Sequence, residues 1–430
     1  MNKLLPTLSV GELMLAGEAR LQTGPFGTQL KASEYVPEGI PVINVRNVGF
    51  GEVRADDLEY ISETKAEQLH QHIIREGDIV FGRKGAVERH ALIKKEQDGW
   101  AQGSDCLRLR LNSPRVSSQY LSYYLRTQAH QDWMQALCSF GATMASLNQD
   151  IVSRIRFPLP SPELQHKVVA ILSAYDDLIA NNQRRIELLE AKAEEIYREW
   201  FVRMRFPEYA ANPSAHGLPL GWEAKTAADM VTVLGGGTPK TEMPAYWDGN
   251  IPFFSPKDSH NGYFCIDTEQ SISESGLESC ASQLFPAGTI FITARGTVGN
   301  IVLAGVAMAM NQSCYALVPK DASSLNFVFV GLRCATAVIK GVSNSGVFDN
   351  IVMDTFRIIP MIDPGQALRE RFSTLTSPML DQALQLRKSS RALKQQRDAL
   401  LPRLLSGKLR VDHLDIQIPP SMRAEMAQAA

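Results

Sequence analysis

The stretch GDIVFGRKGAVE, residues 77–88, recurs in altered form as GTIFITARGTVG, residues 288–299. Each copy places an apolar run before a glycine-flanked loop that carries one or two cations. The same offset of 211 residues brings IPVINVRN (residues 40–47) onto IPFFSPKD (residues 251–258) and Gly24 onto Gly235. Matches that keep one order and one offset indicate an internal duplication, so we predict two related halves.

Beyond residue 100 the offset between the copies shortens, as insertions in surface loops allow. Gln102 then aligns with Gln312, and Pro160 aligns with Pro360. Both glutamines lie beside apolar runs, so we expect their side chains to hydrogen-bond to backbone groups.

Short apolar runs bounded by Gly, Pro, Asn and Asp are typical of strands in a compact domain. The clearest are DIVFG and CLRLRL in the first copy and TIFIT and CYALV in the second. A helix is predicted over residues 118–137, with its counterpart at residues 326–341. The predicted fold class is therefore α/β, more narrowly α+β, with a pseudo-twofold internal repeat.

Each copy ends in a long helical segment, and the first runs from residue 163 to residue 204 without Pro or Gly. In the second segment we expect Pro378 to kink or break the helix near its start and Gly407 to end it. Apolar residues spaced by three, four or seven positions mark the seam of a coiled coil. The predicted seam consists of Ile179, Ile186, Leu189, Ala193, Ile196 and Trp200 in the first helix, and of Leu386, Leu393, Leu400 and Leu404 in the second.

These patterns predict two globular domains that alternate with two long helices. The predicted boundaries are 1–160 and 206–362 for the domains, 161–205 and 363–407 for the helices, and 408–430 for a C-terminal tail. Helices of similar length with apolar seams most simply pair as an antiparallel coiled coil. Such pairing would place one domain at each end of a rod.

The composition is that of a globular protein, with 44% hydrophobic and 21% charged residues and a net charge of −2. This balance excludes a polycation that coats nucleic acid, although local basic loops can still bind it. The six cysteines form no CxxC pair, so we predict free thiols in a cytoplasmic protein. The longest apolar run, residues 301–310, is about half of a membrane span, so we predict no membrane partner.

The sequence contains no constellation of residues that would carry catalysis. The phosphate-binding motifs GxxxxGK[ST] and GxGxxG are absent, and so is the Asn- or Asp-Pro-Pro-aromatic tetrapeptide of DNA amino-methyltransferases. His70 and His72 lack further ligands at metal-binding spacing, which favours a solvated surface over a metal site. The acidic pairs at residues 176–177 and 194–195 fit the solvated face of a helix. We predict a chain that is not an enzyme and binds neither a metal nor a cofactor.

Polar, donor-rich side chains gather in the loops, and such side chains can recognise DNA. Arg and Lys pair with guanine, Asn and Gln with adenine, and Asp with cytosine, while Ser and Thr suit phosphate contacts. For any one of these side chains, solvation in a loop is the simpler explanation. The candidate DNA-binding residues are Lys31, Asn44, Arg46, Asn47, Arg83, Lys84 and Arg89 in the first copy, and Thr238, Lys240, Ser255, Lys257, Asp258, Arg295 and Thr297 in the second.

The sequence resembles the specificity subunit of type I restriction–modification systems. In the first copy TGPFGTQL, residues 23–30, replaces the family's Gly-Gly-Thr-Pro element. The stretches that carry the resemblance are GWEAKTAADMVTVLGGGTPKTEMPAYWDGNIPFFSPKDS (221–259), GTIFITARGTVGN (288–300), NQSCYAL (311–317) and the helix ends IYREWFVRMRFP (196–207) and ALLPRLLSGKL (399–409).

The resemblance implies a division of labour among several subunits. Each globular domain would act as a target recognition domain for one half of a bipartite, gapped site in double-stranded DNA. The helices would set the spacing between the half-sites and dock two methylation subunits, which hold S-adenosylmethionine. Restriction subunits that use ATP and Mg for translocation and cleavage would complete a complex for phage defence. The chain itself would catalyse nothing.

Two other functions remain open on the sequence. The chain could be the specificity subunit of a methylation-only or other phage-defence complex that has no restriction subunit. It could also be a protein–protein scaffold that does not bind DNA, which the salt dependence of DNA binding would distinguish. A stand-alone hydrolase is disfavoured by the missing motifs.

Overall fold

A computed structural model describes residues 5–139, 146–207, 217–259, 262–342 and 350–419. The chain divides into two compact units. Unit 1 comprises residues 1–177 and 393–430, and unit 2 comprises residues 178–392. Residues 420–430 of the predicted tail lie outside the described residues.

Unit 1 contains a mixed domain, here called domain 1, that precedes the first long helix. Its sheets have the strand orders β2-β10-β7-β8-β5 and β3-β6-β4-β9, and β1 pairs with β11. Strand β11 leads into the long helix α6 (Pro162–Tyr197). The elements of domain 1 are strands β1 (Thr7–Ser9), β2 (Ala19–Thr23), β3 (Tyr35–Val36), β4 (Ile40–Ile43), β5 (Phe50–Gly51), β6 (Glu59–Ile61), β7 (Ile79–Gly82), β8 (His90–Leu92), β9 (Ala101–Gln102), β10 (Cys106–Leu111) and β11 (Arg156–Pro158), and helices α1 (Val10–Leu15), α2 (Glu63–Gln68), α3 (Ser118–Leu125), α4 (Gln128–Ser139) and α5 (Gln149–Ser153).

Unit 2 contains the second mixed domain, here called domain 2. Its sheets have the strand orders β13-β20-β17-β18-β15 and β16-β14-β19, and β12 pairs with β21. Strand β21 leads into the second long helix, α10 (Gln366–Leu405). The elements of domain 2 are strands β12 (Glu223–Thr226), β13 (Val231–Gly235), β14 (Trp247–Phe254), β15 (Phe264–Cys265), β16 (Gln270–Ile272), β17 (Ile290–Thr293), β18 (Ile301–Ala304), β19 (Ala309–Met310), β20 (Cys314–Pro319) and β21 (Pro360–Asp363), and helices α7 (Ala227–Met230), α8 (Glu274–Glu278) and α9 (Leu325–Val342).

The two domains share one topology, which confirms the predicted duplication and the α+β fold class. The five-stranded sheets have corresponding strand orders, and each contains one parallel pair, β5 with β8 or β15 with β18. A second parallel pair joins β4 to β9 and β14 to β19. All four predicted strand runs form strands, and the central strands β7 and β17 are buried along their whole length.

The strand registers correct three equivalences between the copies. Ile43 pairs with Gln102, and Phe254 pairs with Met310, so Gln102 is equivalent to Met310 and not to Gln312. The registers likewise align residue 24 with residue 236 rather than 235, and residue 156 rather than 160 with residue 360. Each error is a short slip in a loop or at a strand end, where the copies differ in length.

In unit 1 the beginning of α6 packs antiparallel against the end of α10. Lys167 Nζ donates to the carbonyl of Asp412 at 2.9 Å, whereas Asp176 lies further along α6 and forms an ion pair with Arg397 at 2.5 Å. Between these contacts, residues 168, 169 and 172 share one apolar core with residues 401, 404 and 405. As the residue numbers rise along α6, the numbers of the residues that they contact at the end of the second helix fall, as antiparallel pairing requires.

In unit 2 the remainder of α6 meets the beginning of α10, again antiparallel. The rings of Tyr197 and Phe372 lie 5.8 Å apart, and those of Phe201 and Phe372 lie 5.5 Å apart. Glu190, earlier in α6, is under the electrostatic influence of Arg387, later in α10. The pairing therefore runs in the predicted direction within each unit.

The buried stripe of α6 differs in part from the predicted seam. Ile186 and Ala193 are buried as predicted, whereas Ile179, Leu189, Ile196 and Trp200 are half-buried. In α10, Leu404 is buried, while Leu386, Leu393 and Leu400 are half-buried. The buried stripe contains two polar residues that an apolar pattern cannot reveal: it consists of Asn182, Ile186, Glu190, Ala193 and Tyr197 in α6, and of Phe201 in the π-helical turn (Arg198–Val202) that follows α6.

Two predicted helix boundaries are wrong. Helix α10 runs without a break through Pro378, because proline removes one backbone donor on an exposed part of the helix while Phe372, Thr376 and Leu380 remain buried around it. The helix predicted over residues 118–137 is divided into α3 and α4, because the Thr127 hydroxyl donates to the Tyr124 carbonyl at 2.7 Å.

The predicted C-terminal stop of α10 is confirmed. Gly407 follows the last helical turn with a φ of 71°, a left-handed conformation that favours glycine.

Asp176 and Glu194, one from each acidic pair of α6, do not lie on the solvated face that their sequence predicts, whereas Asp177 is exposed as predicted. Asp176 accepts hydrogen bonds from Tyr123 Oη at 2.8 Å and from Arg126 Nη1 at 2.9 Å, in addition to its ion pair with Arg397. In unit 2, Glu194 pairs with Arg198 at 2.9 Å and with Arg333 at 3.5 Å. Spacing alone cannot show that cations from other elements approach this face of the helix.

We expect Asp176→Ala to destabilise unit 1 by about 2–3 kcal/mol, between the values for exposed and fully buried ion pairs, because it leaves Arg126 and Arg397 facing each other. Burial raises the pKa of Asp176, but the two arginines and Tyr123 lower it further, below the ordinary 3.8. A depressed pKa stabilises the fold above pH 4 and stops doing so as the pH falls through the folded-state value. Urea denaturation should therefore show a smaller difference between variant and wild type near pH 3 than at pH 7.

The matched control is Asp177→Ala, since Asp177 is the exposed neighbour of Asp176 on the same helix. An equal loss of stability in the two variants would contradict the role given to Asp176.

Candidate nucleic-acid interface

In each domain, four loops meet where several strands begin or end. In domain 2, β13 and β17 end at this edge and β18 and β20 begin there, because Gly235 pairs with Tyr315 and Thr293 with Cys314. Strands β14 and β19 end at the same place, since Asn311 N donates to the Phe254 carbonyl at 2.9 Å. We call residues 236–239, 255–259, 294–300 and 311–313 the domain 2 loop edge. The equivalent domain 1 loop edge consists of residues 24–30, 44–47, 83–89 and 103–105.

Hydrogen bonds between loops hold the domain 2 loop edge together. Thr297 Oγ1 donates to the Pro256 carbonyl at 3.2 Å, and Asn300 Nδ2 donates to the Ser259 carbonyl at 3.2 Å. These bonds join the loop that carries Lys257 to the loop that carries Arg295. Both cationic side chains are exposed, so the two adjacent loops present them to solvent together.

The domain 1 loop edge is joined in a similar way. Gly103 N donates to the Ile43 carbonyl at 2.9 Å, and Arg83 N donates to the Asp105 carbonyl at 2.8 Å. Lys84 reaches back over this junction, with its Nζ 3.1 Å from Asp105 Oδ1.

A glycine in each domain allows the close approach between loops. A Cβ atom on Gly24 would lie 1.9 Å from the Gly103 carbonyl oxygen, and one on Gly236 would lie 2.2 Å from the Asn311 carbonyl oxygen. No other residue fits at these two positions without moving the neighbouring backbone. The residues at which these loops leave their strands are therefore fixed in both domains.

The structure divides the candidate DNA-binding residues into three groups by exposure. Lys31, Arg46, Lys84, Lys240, Lys257, Arg295 and Thr297 are exposed; Asn44, Arg83, Arg89, Thr238 and Ser255 are half-buried; Asn47 and Asp258 are buried. Exposure is a requirement for contact with DNA, so the first group contains the strongest candidates.

Asn47 and Asp258 have structural roles within their own domains, and their contact with DNA stays a prediction. Asn47 Nδ2 donates to the carbonyls of Arg54 at 3.0 Å and Asp56 at 2.9 Å, and its Oδ1 accepts the Asn44 N–H at 3.1 Å. Asp258 Oδ2 accepts the Ser255 N–H at 2.8 Å, and its Oδ1 accepts the Glu269 N–H at 2.7 Å. Both side chains close the same turn in their domain, so their polar atoms already take part in hydrogen bonds within the domain.

Other candidates are also engaged within their own domain. Asn44 Nδ2 donates to Glu59 at 2.6 Å, and Ser255 Oγ donates to Asp258 at 2.7 Å. The Arg89 guanidinium lies 5.4 Å from the centre of the Phe50 ring. Arg83 Nε contacts the Leu147 carbonyl at 3.4 Å. These four side chains would have to give up a contact in order to reach DNA.

Lys31 and Lys240 each directly follow a loop-edge segment. The Lys240 carbonyl accepts the Trp247 indole N–H at 3.2 Å, which places it beside the beginning of β14 rather than its end. Lys31 begins the short turn that precedes β3.

Exposed carboxylates partly neutralise the cations of the loop edges. Lys257 lies 3.5 Å from Glu269, and Arg46 lies 3.0 Å from Glu59, with every one of these side chains well exposed. Such surface pairs contribute about 0–1 kcal/mol, so a phosphate can displace the carboxylate at little cost. Arg295 makes no hydrogen bond or ion pair with any residue that the structure describes.

Sequence reasoning missed three exposed residues at the loop edges. Gln312 was expected to satisfy backbone groups, but it is exposed and accepts the Thr238 hydroxyl proton. Gln102 does take the expected role and donates to the carbonyls of Gln22 and Cys106. Phe26 and Gln149 are also exposed, and Gln149 Nε2 donates to Thr23 Oγ1 at 2.9 Å. Correct alignment of the copies would have separated Gln312 from Gln102.

Within the described parts of the chain, no cluster of three or more His, Cys, Asp and Glu side chains could hold a metal ion. His72 is buried, contrary to the solvated surface predicted for the His70 and His72 pair, and it lies in a tight turn whose next residue, Ile73, pairs with Ala101 of β9. None of the described helices has the length and apolarity needed to cross a membrane. What the loop edges offer is hydrogen-bond donors and positive charge.

Comparison with known proteins places this geometry in context. A family model described as the type I restriction modification DNA specificity domain matches residues 27–191 and 219–364. The MjaIX type I restriction enzyme specificity subunit of Methanocaldococcus jannaschii is 27% identical over 307 residues, covering 70% of this chain and 71% of that protein. The HindI specificity subunit of Haemophilus influenzae is 22% identical over 400 residues, covering 78% of this chain and 87% of that one.

One solved structure has the same fold over nearly the whole chain. The crystal structure of the S subunit of a type I restriction–modification system from M. genitalium aligns with a TM-score of 0.56 and 18% identity. The alignment covers 94% of this chain and 97% of that one. At this identity the likeness establishes the fold alone.

Asn47→Ala should cost about 1–3 kcal/mol of stability, because two backbone carbonyls lose the hydrogen bonds that the buried Asn47 side chain donates and a turn loses its acceptor. Arg295→Ala should change stability by less than about 0.5 kcal/mol, since its side chain is exposed. Arg46→Ala, next to Asn47, is the matched control for the turn itself. Thermal unfolding followed by circular dichroism measures all three, and a neutral Asn47→Ala would contradict the structural role given to that residue.

Proposed function

The chain belongs to the type I restriction–modification DNA specificity family, and we propose that it is the sequence-recognition subunit of such a complex, acting in the cytoplasm. The observation that carries this proposal is the pair of loop edges, which have one framework and different exposed side chains. Two domains of one topology suit the two halves of a bipartite, gapped DNA site. Each domain then recognises its own half.

The difference between the half-sites follows from the side chains at equivalent positions. Gly82 and Thr293 both pair with the first residue of the neighbouring strand, so Arg83 and Lys84 correspond to Ala294 and Arg295. Domain 1 thus carries two cations where domain 2 carries one. Arginine presents a rigid planar fork that forms two parallel hydrogen bonds with guanine, whereas lysine presents a compact ammonium on a flexible chain, so the two loops favour different base patterns.

The long helices provide the remaining surface for partners. Leu188 on α6 and Leu375 on α10 are large apolar side chains that remain exposed, at 61% and 43%. We assign the exposed faces of these helices to two methylation subunits, which would hold S-adenosylmethionine. Restriction subunits would add ATP- and Mg-dependent translocation and cleavage. The chain itself would contribute binding and no catalysis.

The decisive experiment is a methylation map. The chain is produced together with its neighbouring methylation subunit in a host that lacks DNA methylation, and modified adenines are located by sequencing. A gapped, two-part motif supports the proposal and identifies both half-sites. A complex that forms without methylating or binding DNA would instead favour a protein scaffold.

Arg295→Ala should relax recognition in one half-site, and Lys84→Ala in the other, because each removes an exposed cation from one loop edge. The loss at each affected base should be about 1–3 kcal/mol, roughly a tenfold to hundredfold loss of discrimination. Methylation maps of both variants measure it. If either variant changed both halves equally, the assignment of one domain to each half would be wrong.

A longer pair of helices should lengthen the gap without changing the half-sites. Since α6 and α10 run antiparallel, seven residues are inserted after Ala180 and seven after Lys394, so that helix pairing is retained. The added helix of about 10 Å corresponds to roughly three base pairs. An insertion in α6 alone is the control and should impair folding of the helix pair. An unchanged gap in the methylation map of the double insertion would contradict a role of the helices in spacing.

A further inference from the structure

Phe26 is an exposed aromatic side chain at the domain 1 loop edge. It is 64% exposed and lies between Gly24 and Gly27 in the loop that follows β2. A single exposed apolar side chain is common on proteins and by itself indicates nothing. Its place among the loops that carry Arg83 and Lys84 is what requires an explanation.

The backbone around Phe26 is fixed at both ends of the loop. Gly24 N donates to the Cys106 carbonyl at 2.9 Å, and the buried Pro25 has a fixed φ and restricts the preceding Gly24. Phe26 N donates to Gln29 Oε1 at 3.2 Å, and the Phe26 carbonyl accepts the Gln29 N–H at 2.7 Å. Leu30 then enters a small apolar core. The ring is therefore presented to solvent on an ordered turn, so little entropy is lost when it binds.

Domain 2 has no aromatic ring at the equivalent place. The registers of β2 and β13 align Phe26 with Thr238, whose hydroxyl donates to Gln312. The next residue, Pro239, is buried. The equivalent loop of domain 2 is thus polar and closed against its neighbour, while that of domain 1 ends in an apolar ring.

We propose that Phe26 inserts at a base step in the half-site recognised by domain 1 and partly unstacks it. This inference rests on the proposed function. Apolar side chains that enter DNA between base pairs kink the duplex, and the cost of unstacking is lowest at flexible pyrimidine–purine steps. Arg46, an exposed cation of the same loop edge, holds a flanking phosphate while the ring enters. Domain 2, with Thr238 at this place, leaves its half-site stacked.

Unstacking is measured with 2-aminopurine, an adenine analogue whose fluorescence rises when it leaves the base stack. The complex with methylation subunits is bound to duplexes that carry the probe at single positions of each half-site other than the methylated base, since a methylated base is itself flipped out. The domain 1 half-site is the one that Lys84→Ala alters. Wild type should give a rise at one step of this half-site, and Phe26→Ala should abolish the rise and weaken binding roughly tenfold.

Two control variants separate insertion from general effects on the surface. Phe26→Leu retains an apolar wedge and should keep the rise. Leu15→Ala removes another exposed apolar side chain of domain 1, 91% exposed, which lies beyond the opposite end of β2. This variant should behave as wild type.

Three results would overturn the proposal. They are a wild-type complex that gives no rise in the domain 1 half-site, a Phe26→Ala variant with unchanged fluorescence and affinity, or an equal loss in Leu15→Ala. In each of these cases the complex still binds its gapped site, so the proposed function stands. A chain that recognises no gapped site would overturn both proposals.

Discussion

The carboxylate of Asp176 on α6 connects domain 1 to both long helices. Burial raises its pKa, but Arg126, Arg397 and Tyr123 lower it further, so the group stays ionised between two guanidinium groups. Arg126 extends from this carboxylate to the Gly51 carbonyl, at 3.5 Å, on the outermost strand of the five-stranded sheet. The charge on the helix thereby orients the sheet, and the sheet orients the loops at its end. The orientation of the domain 1 loop edge depends on this ion pair, because a loop can hold a pattern of hydrogen-bond donors only where the residues at its two ends are fixed.

In unit 2, a different set of groups connects α6 to the five-stranded sheet of domain 2. Glu190 of α6 accepts the backbone N–H of Tyr263 at 2.9 Å, next to β15, and its carbonyl accepts the Tyr263 hydroxyl at 3.0 Å. Arg333, which takes the place of Arg126, lies 4.6 Å from the centre of the Tyr263 ring. Burial raises the pKa of Glu190, the opposite direction from Asp176. Both anchors hold the outermost strand of their sheet, since β15 corresponds to β5.

Local sequence signals predicted the helices and strands well. The roles of individual side chains depend on contacts with residues distant in the sequence, which local signals do not reveal. Helix α6 begins at Pro162 and α10 stops before Gly407, because these residues act on their own backbone. The burial of Glu190 could not be predicted, since its acceptance of a backbone N–H depends on a loop more than seventy residues away. The role of Asn47 in closing a turn could not be predicted, because asparagine serves equally well in closing a turn and in binding adenine. The loop edges follow from strand register, which a sequence with sparse matches between its copies leaves ambiguous.

In each loop, the residues next to the strands are fixed and the side chains at the tip vary, and these two properties have separate physical causes. Glycine at residues 24 and 236 is required by the backbone of the facing loop, so the framework tolerates no side chain there. The tips bear no such constraint, and the side chains of Lys84 and Arg295 can change without loss of packing. Carboxylates beside several cations keep the chain near neutrality while leaving those cations exposed. Binding to DNA then exchanges one weak surface pair for a contact with DNA, and the gain is greatest for a cation such as Arg295, which gives up no ion pair among the described residues.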